Sequence, residues 1–261
     1  MWDPLLLIVF GFFIGILASM TGVGGGVFIV PILTFFYDFS PLASATGTSL
    51  TAIIFTAIAS TINYARQKRI YYKTGLLLAV TAAPGAYFGG WVARITNEQV
   101  LGVVFGTFLI LVAARMIFSL VRTKTTDKTI SAKTDTELVR SGRTIAIGVA
   151  LGFFGGFASG LLGIGGGTLI VPIMAFALGM PIHLATATSM FTMIFTATSG
   201  VAEYYQAGLV NLPIALLFAA GTVIGAQIGA FTSGKISGRN LSILFSIMLI
   251  VAGANMIIKY A

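Results

Sequence analysis

The chain has 261 residues, of which 57% are apolar and only 8% carry a charge, and its mean hydropathy is +1.01. A soluble domain carries roughly 25% charged residues, so this composition excludes a water-soluble globule, and the apolar content excludes a disordered chain. The apolar segments are continuous and do not alternate with a period of two, which excludes a transmembrane barrel. We therefore predict an all-α polytopic membrane protein, whose net charge of +8 reflects cytoplasmic loops and not nucleic-acid binding.

The inventory of reactive side chains is small. The chain has no cysteine, a single histidine and only seven carboxylates, and it lacks a G-x-x-x-x-G-K-[ST] phosphate-binding loop. Thiolate chemistry, iron–sulfur clusters, cysteine-based zinc sites and direct use of ATP are therefore excluded, and too few groups remain for a membrane enzyme. We expect no enzymatic activity, no catalytic or metal-binding residue and no cofactor.

The first half of the chain contains one broken and three unbroken apolar stretches. A glycine cluster interrupts the stretch at 5–37, and the stretches at 44–64, 74–94 and 99–120 follow without interruption. Each of the last three is close to the roughly 20 residues that a membrane-spanning helix needs. Pro84 lies inside the second of them, where it is expected to kink the helix.

A charged and therefore aqueous linker at 121–143 separates a first repeat at 1–120 from a second repeat at 144–261. Pro213 is expected to open a helix of the second repeat, because proline is tolerated in the first turn. The apolar stretches of this half are a broken one at 144–178 and spans at 184–204, 213–232 and 240–258.

Internal repetition relates the two halves. Gly22-Val23-Gly24-Gly25-Gly26, followed by Pro31, recurs as Gly163-Ile164-Gly165-Gly166-Gly167, followed by Pro172. Further along, Ala45-Thr46-Gly47-Thr48-Ser49 recurs as Ala185-Thr186-Ala187-Thr188-Ser189. The chain is therefore a tandem duplication.

The distribution of basic residues predicts that the two repeats are inverted, with a parallel arrangement as the alternative. The loop after the first unbroken span carries Arg66, Lys68, Arg69 and Lys73. Its equivalent at 205–212 has no basic residue, whereas the loop at 233–239 carries Lys235 and Arg239. Cytoplasmic loops collect basic residues, so equivalent loops face opposite sides, with the linker inside and both termini outside. Each broken stretch must then be a re-entrant helical hairpin whose glycine tip lies deep in the membrane.

The glycine tips are the candidate substrate site. Glycine costs about 1 kcal/mol relative to alanine in a helix, so the four glycines within each cluster have another purpose. The free N–H groups and positive dipole end of the helix that follows can bind a small anion without a charged side chain. Close helix packing through small residues is the competing interpretation.

Hydroxyl groups follow each glycine cluster and add candidate donors, with Ser49 and Ser189 lying deepest in their helices. Helix capping and hydrogen bonding between helices are the competing roles. The residues expected to contact substrate are Thr21, Gly22, Gly24, Gly25, Gly26, Thr46, Thr48, Ser49, Gly163, Gly165, Gly166, Gly167, Thr186, Thr188 and Ser189.

Three ionisable residues stand apart from these motifs. Arg115 is expected to extend towards the membrane interface, as long basic side chains near helix ends do. Glu203 is expected to be interfacial at a helix end, with a role in proton coupling as the alternative. His183 lies beside Pro181 and is expected in a solvated loop, with a pH gate as the alternative.

The duplicated G-x-G-G-G with its downstream proline, the A-T-x-T-S element and the pattern of apolar stretches resemble the sulfite exporter TauE/SafE family. The resemblance covers almost the whole chain apart from the linker. It implies transport, usually outward, of small sulfur-containing anions such as sulfite or organosulfonates. Its signature falls on Gly22, Gly24, Gly25, Gly26 and Pro31, and on Gly163, Gly165, Gly166, Gly167 and Pro172.

The sequence thus predicts a secondary transporter in the cell membrane that binds a small anion between its two glycine tips near the bilayer midplane. A small-anion channel and an uptake permease are the alternatives. Coupling to protons and electrogenic flux of the anion alone both stay open. The expected partners are the anionic substrate and the lipid bilayer, with no nucleic acid, and homo-oligomerisation is left open.

Overall fold

The structure is a computed structural model and describes residues 4–122, 135, 142–233 and 238–261. These residues form helices joined by short loops, which confirms the predicted all-α class. The helices of the first repeat are α1 (Pro4–Thr21), α2 (Gly26–Phe36), α3 (Leu42–Arg66), α4 (Tyr72–Ile95) and α5 (Glu98–Arg122).

The second repeat has the same order of helices. They are α6 (Gly142–Leu162), α7 (Gly167–Pro172), α8 (Ile182–Gln206), α9 (Leu212–Thr232) and α10 (Gly238–Tyr260). A π-helical turn, Ile173–Ala177, extends α7, whereas its equivalent α2 is α-helical over 11 residues. Both glycine clusters interrupt the helices where the sequence predicts a break, and the other helix ends lie within a few residues of the predicted ones. The linker, apart from Asp135 and the residues at its two ends, lies outside the described residues.

Six of the described helices are long and apolar enough to cross a membrane: α1, α3, α4, α8, α9 and the Glu98–Arg115 part of α5. Shorter apolar segments occur in α6 and α10, at Gly148–Leu162 and Leu249–Tyr260. Within the apolar windows of these helices, 78% of residues are buried in α3 and 61% in α8, against 33% in α1. Helices α3 and α8 therefore form the centre of the protein, and the apolar faces of the outer helices are available to lipid.

Stripes of small residues join the outer helices across the two repeats. A Cβ on Gly221 or Gly225 of α9 would overlap the carbonyl oxygens of Ile8 and Phe12 in α1. In the same way, a Cβ on Gly156 of α6 would overlap the Ala82 carbonyl oxygen of α4. Close backbone approach of this kind drives helix association in membranes. Lipid tails are as apolar as the side chains, so the hydrophobic effect does not favour contact between helices there. Most helical glycines of the chain thus have a packing role.

Contacts between the central helices show their relative directions. Thr48 of α3 lies beside Asn211 at the start of α9, and Asn63 lies beside Gln227 further along both helices. Helices α3 and α9 are therefore parallel. Because the short loop at 207–211 turns the chain between α8 and α9, α8 runs against α3.

Direct contacts agree with this assignment. An ideal Cβ on Gly47 of α3 lies 2.7 Å from the Tyr204 Cβ of α8, and one on Gly200 of α8 lies 3.0 Å from Leu50 Cδ1 of α3. Residues further along α3 thus contact residues nearer the start of α8. Equivalent helices of the two repeats run in opposite directions, which supports the inverted interpretation.

The N-termini of the equivalent helices α4 and α9 are capped differently. The Asn211 side chain accepts a hydrogen bond from the Ile214 N–H at the start of α9. Tyr71 occupies the equivalent position before α4, and there the Asp135 carboxylate of the linker accepts from the N–H groups of Lys73 and Thr74. An acidic group is favourable at a helix N-terminus, so the linker completes a cap that the first repeat lacks.

Three local expectations have different outcomes. Pro213 lies in the first turn of α9, as predicted. Pro84 lies within a continuous α4, and the predicted kink stays untested. His183 is exposed but belongs to the first turn of α8, so its assignment to a loop is wrong. Pro181 precedes this helix as its N-cap residue, which starts α8 earlier than the apolar pattern indicates.

Candidate functional site

Each helical hairpin turns through a glycine in the left-handed conformation. Gly25 has φ 82° directly before α2, and Gly166 has φ 87° directly before α7. The Gly25 carbonyl oxygen accepts from the N–H groups of Phe28 and Ile29, and Gly166 makes the equivalent pair of bonds. Residues with a Cβ rarely adopt this conformation, so glycine at these two positions is required by the turn itself.

The two glycine tips are in direct contact. A Cβ on Gly26 would overlap the Gly163 carbonyl oxygen, and a Cβ on Gly167 would overlap the Gly22 carbonyl oxygen. Each tip therefore presents its first glycine to the last glycine of the other, which is the reciprocal pattern of a two-fold related contact. The structure thus brings the two predicted tips together, although they are far apart in the chain.

Ser49 and Ser189 hold this contact from both sides. The Ser49 hydroxyl donates to the Gly163 carbonyl oxygen at 2.9 Å, and the Ser189 hydroxyl donates to the Gly22 carbonyl oxygen at 2.8 Å. Both side chains are completely buried. Each serine thus links a central helix to the tip of the opposite repeat. Hydrogen bonding between chain segments was the competing interpretation of these hydroxyls, and contact with a ligand stays a prediction.

The predicted threonines divide between the tips and nearby loops. Thr46 and Thr186 pack against Gly163 and Gly22, whereas Thr48 and Thr188 bond to the residues before α9 and α4. Thr48 accepts a hydrogen bond from the Asn211 N–H, and Thr188 accepts one from the Tyr71 N–H, both at 3.0 Å. Thr46 and Thr21 donate to carbonyl oxygens of their own helices. Thr186 packs against Gly22, with its Cα 3.0 Å from an ideal Cβ on that glycine. The threonines outside α1 therefore tie the loops and tips of one repeat to the central helix of the other.

Two tyrosines anchor the helices that lead into the tips. The Tyr64 hydroxyl of α3 donates to the Ser19 carbonyl oxygen at 2.8 Å, and the Tyr204 hydroxyl of α8 donates to the Gly160 carbonyl oxygen at 2.7 Å. Both tyrosines are completely buried. The final turns of α1 and α6 are thereby fixed to the central helices.

Sequence reasoning missed two hydroxyls beside the second tip. Ser159 and Thr168 are buried, and within the described part of the chain their hydroxyl oxygens have no hydrogen-bond partner. Ser159 Oγ lies 3.4 Å from an ideal Cβ on Gly166. The equivalent residues of the first repeat are the apolar Ala18 and Val27. The presence of polar residues in the second repeat where the first repeat has apolar ones is the signal that could have indicated Ser159 and Thr168.

Glu203 is more deeply buried than its position near a helix end predicts. Its side chain is 5% exposed and pairs with the Nε of Arg94 at 3.2 Å, while the Arg94 side chain is 43% exposed. Tyr87 of α4 interacts electrostatically with Glu203 as well. This burial arises because α4 packs over this end of α8 and supplies both partners, and the position of Glu203 at the membrane interface stays a prediction. Arg115, in contrast, has an exposed side chain on α5.

A pocket of about 280 Å³ opens beside this ion pair and includes Arg94, Thr96 and Glu98 in its lining. The Glu98 carboxylate accepts a hydrogen bond from the Leu42 N–H at the start of α3. Arg94 and Glu98 both line the pocket, and Arg94 is already paired with Glu203, so the local charge does not favour a small anion. The candidate anion site remains at the glycine tips.

The signature glycines, their contact and the helical architecture can now be compared with known proteins. The sulfite exporter TauE/SafE family matches residues 7–256. The chain belongs to this family. It is 33% identical over 265 residues to the probable membrane transporter protein YunE of Bacillus subtilis, covering 97% of this chain and 96% of the relative.

Two further relatives extend the comparison. The probable membrane transporter protein MJ0441 of Methanocaldococcus jannaschii is 34% identical over 269 residues, with 98% of this chain and 95% of the relative covered. A probable membrane transporter protein of Haemophilus influenzae is 26% identical over 273 residues, with 98% of each chain covered. No solved structure matches the chain.

Membership of the TauE/SafE family identifies the protein as a multi-pass membrane transporter. The relatives carry the names of transporters and not of enzymes. The alignment with YunE extends over both repeats. The family description names sulfite export, and the contacts at the tips supply the physical basis for proposing where such an anion binds.

Proposed function

We propose that the protein is a secondary transporter that moves small sulfur-containing anions, such as sulfite or organosulfonates, outward across the cell membrane. The reciprocal contact between the two glycine tips carries this proposal. Meeting tips from two repeats of opposite direction are the arrangement in which transporters place a substrate between their halves. The family description, which names sulfite export, supports the choice of substrate class.

Backbone groups and hydroxyls are the proposed anion ligands. The N–H groups of Gly26 and Val27 precede the bonds that Phe28 and Ile29 make to the Gly25 carbonyl oxygen, and the helix dipole places positive potential there. At the second tip, the hydroxyls of Ser159 and Thr168, which have no hydrogen-bond partner among the described residues, supply two further donors. Together these groups offset part of the cost of removing an anion from water without introducing a fixed positive charge.

Transport measurements in proteoliposomes test the proposal. We expect the purified protein to catalyse saturable flux of sulfite, and internal sulfite to accelerate counterflow of labelled sulfite. Linear flux without counterflow would instead identify an anion channel. Saturable flux that accumulates the anion on the cytoplasmic side would identify an uptake permease. Absence of flux for sulfite and for organosulfonates would overturn the proposed substrate class.

The free hydroxyls at the second tip provide a test of the binding site. We expect Ser159→Ala and Thr168→Val each to weaken sulfite affinity about tenfold or more, since a hydrogen bond to a charged group contributes about 1.5–3 kcal/mol. The apparent affinity from saturable flux is the measurement. Thr198→Val is the matched control, because Thr198 is exposed and its hydroxyl bonds within its own helix. Unchanged affinity in the double variant would remove both residues from the site.

The inverted membrane orientation predicts opposite accessibility at equivalent positions. Arg66 and Gln206 are the exposed last residues of α3 and α8, and the native chain offers no cysteine background. We expect Arg66→Cys to react with an impermeant maleimide only from the cytoplasmic side and Gln206→Cys only from outside. Labelling of both cysteines from the same side would refute the inverted orientation.

A further inference from the structure

The Met193 side chain touches glycines of both tips. Met193 of α8 is completely buried. Its Sδ lies 2.5 Å from an ideal Cβ on Gly24 and 3.0 Å from one on Gly165, and its Cε lies 2.5 Å from one on Gly167. The thioether thus fills the space that three glycine side chains leave empty. The junction between the tips is closed by an apolar group, although it is lined by backbone.

The equivalent residue of the first repeat is Ile53, which is also completely buried. Its Cδ1 lies 2.9 Å from an ideal Cβ on Gly26, and its Cγ2 lies 2.9 Å from one on Gly165. The two walls differ in stiffness. Isoleucine in a helix is confined to one preferred χ1 rotamer, whereas methionine is unbranched, has three rotatable bonds and adapts to irregular space. The junction therefore has one rigid wall and one adaptable wall.

We propose that Met193 is the specificity-determining residue of the substrate site, whose thioether closes the tip junction and moves aside when the anion binds. This inference rests on the proposed function. An anion cannot share the junction with the thioether, because the side chain occupies the space beside Gly24, Gly165 and Gly167. The size of the group at position 193 therefore limits the size of the anion that the junction accepts.

Substitutions at this position have opposite expected effects. Met193→Ala removes the thioether and enlarges the junction. An anion bulkier than sulfite should then be able to enter, whereas sulfite already enters the wild-type junction. Met193→Ile introduces the same branched side chain as Ile53, so both walls become rigid and entry of any anion is impeded. This exchange nearly conserves volume, and such exchanges are tolerated in protein cores, so the variant is expected to fold.

Competition in proteoliposomes measures the change. Sulfite and benzenesulfonate are the probes, and the readout is the ratio of their inhibition constants against labelled sulfite flux. We expect Met193→Ala to shift this ratio at least tenfold towards benzenesulfonate, and Met193→Ile to lower the sulfite flux at least fivefold. Met190→Ala is the matched control, because Met190 is also buried on α8 and is not among the three nearest neighbours of any tip glycine. An equal ratio of inhibition constants in Met193→Ala and Met190→Ala would overturn the inference and would leave the proposed function unaffected.

Chemical labelling tests the same inference without relying on flux. The native chain has no cysteine, so Met193→Cys introduces a single thiol into the junction. We expect the anionic reagent 2-sulfonatoethyl methanethiosulfonate to modify this thiol, methanesulfonate to slow the reaction at least twofold, and Met190→Cys to stay unmodified. Failure of the reagent to reach position 193 would overturn the inference. Labelling that methanesulfonate leaves unchanged would do the same, while wild-type protein without anion flux would overturn the proposed function.

Discussion

Alanine at Gly26 or Gly167 is expected to abolish transport and to lower the yield of folded protein severely. A Cβ at either position would overlap a backbone carbonyl oxygen of the opposite tip, Gly163 in one case and Gly22 in the other. A backbone atom cannot rotate away as a flexible side chain can. Overpacking in cores costs about 1–3 kcal/mol where side chains can adjust, so we expect at least about 3 kcal/mol here.

The measurement is the melting temperature of the detergent-purified variants together with sulfite flux. Gly148→Ala is the matched control, because Gly148 is helical and buried and its nearest neighbour would lie 3.5 Å from the new Cβ. Alanine is favoured over glycine within a helix by about 1 kcal/mol, so the control variant should be as stable as the wild type or more stable. Normal flux and melting temperature in Gly26→Ala would show that the tips are not in contact.

The ion pair between Arg94 and the buried Glu203 provides the second large expected effect. Arg94→Gln leaves the Glu203 carboxylate buried without its charged partner, and removing one partner of a buried pair costs about 3–5 kcal/mol. Glu203→Gln leaves a guanidinium that is already 43% exposed and can be solvated, so its cost should be closer to the roughly 1 kcal/mol of a surface pair. We therefore expect Arg94→Gln to lower the melting temperature much more than Glu203→Gln.

The double variant separates charge from packing. Arg94→Gln with Glu203→Gln removes both charges at once, so most of the stability lost in Arg94→Gln should return. Tyr87 can still interact with a neutral amide at position 203. Additive losses in the double variant would contradict this interpretation and would indicate that the arginine contributes mainly through packing of its aliphatic part.

Much of the helical architecture could be predicted from short-range patterns. The length of each apolar stretch predicts α3 (Leu42–Arg66) and its equivalent α8 (Ile182–Gln206) within a few residues, because a membrane requires an unbroken backbone ladder of about 20 residues. The glycine clusters predict the breaks before Gly26 and Gly167, because glycine opposes helix continuation. The duplication predicts that each feature of one repeat recurs in the other.

The partners of individual polar groups could not be predicted in this way. Ser49 and Ser189 carry hydroxyls that suit an anion, yet each donates to a carbonyl oxygen of the opposite tip. Glu203 lies near a helix end, yet α4 of the other repeat covers it and supplies Arg94. These contacts join residues more than 100 positions apart in the chain, and no local pattern contains them.

The amino-acid sequence alone determines the membrane class, the helix boundaries to within a few residues, the duplication and the position of both breaks, because these depend on composition and on interactions within a few residues. Tertiary packing alone decides that the tips touch, that Ser159 and Thr168 keep free hydroxyls, and that Met193 lies between the tips. The physical reason is that a hydroxyl, a glycine or a thioether is equally suited to packing and to ligand contact. The groups that the opposite repeat brings against such a side chain decide whether it packs or contacts a ligand.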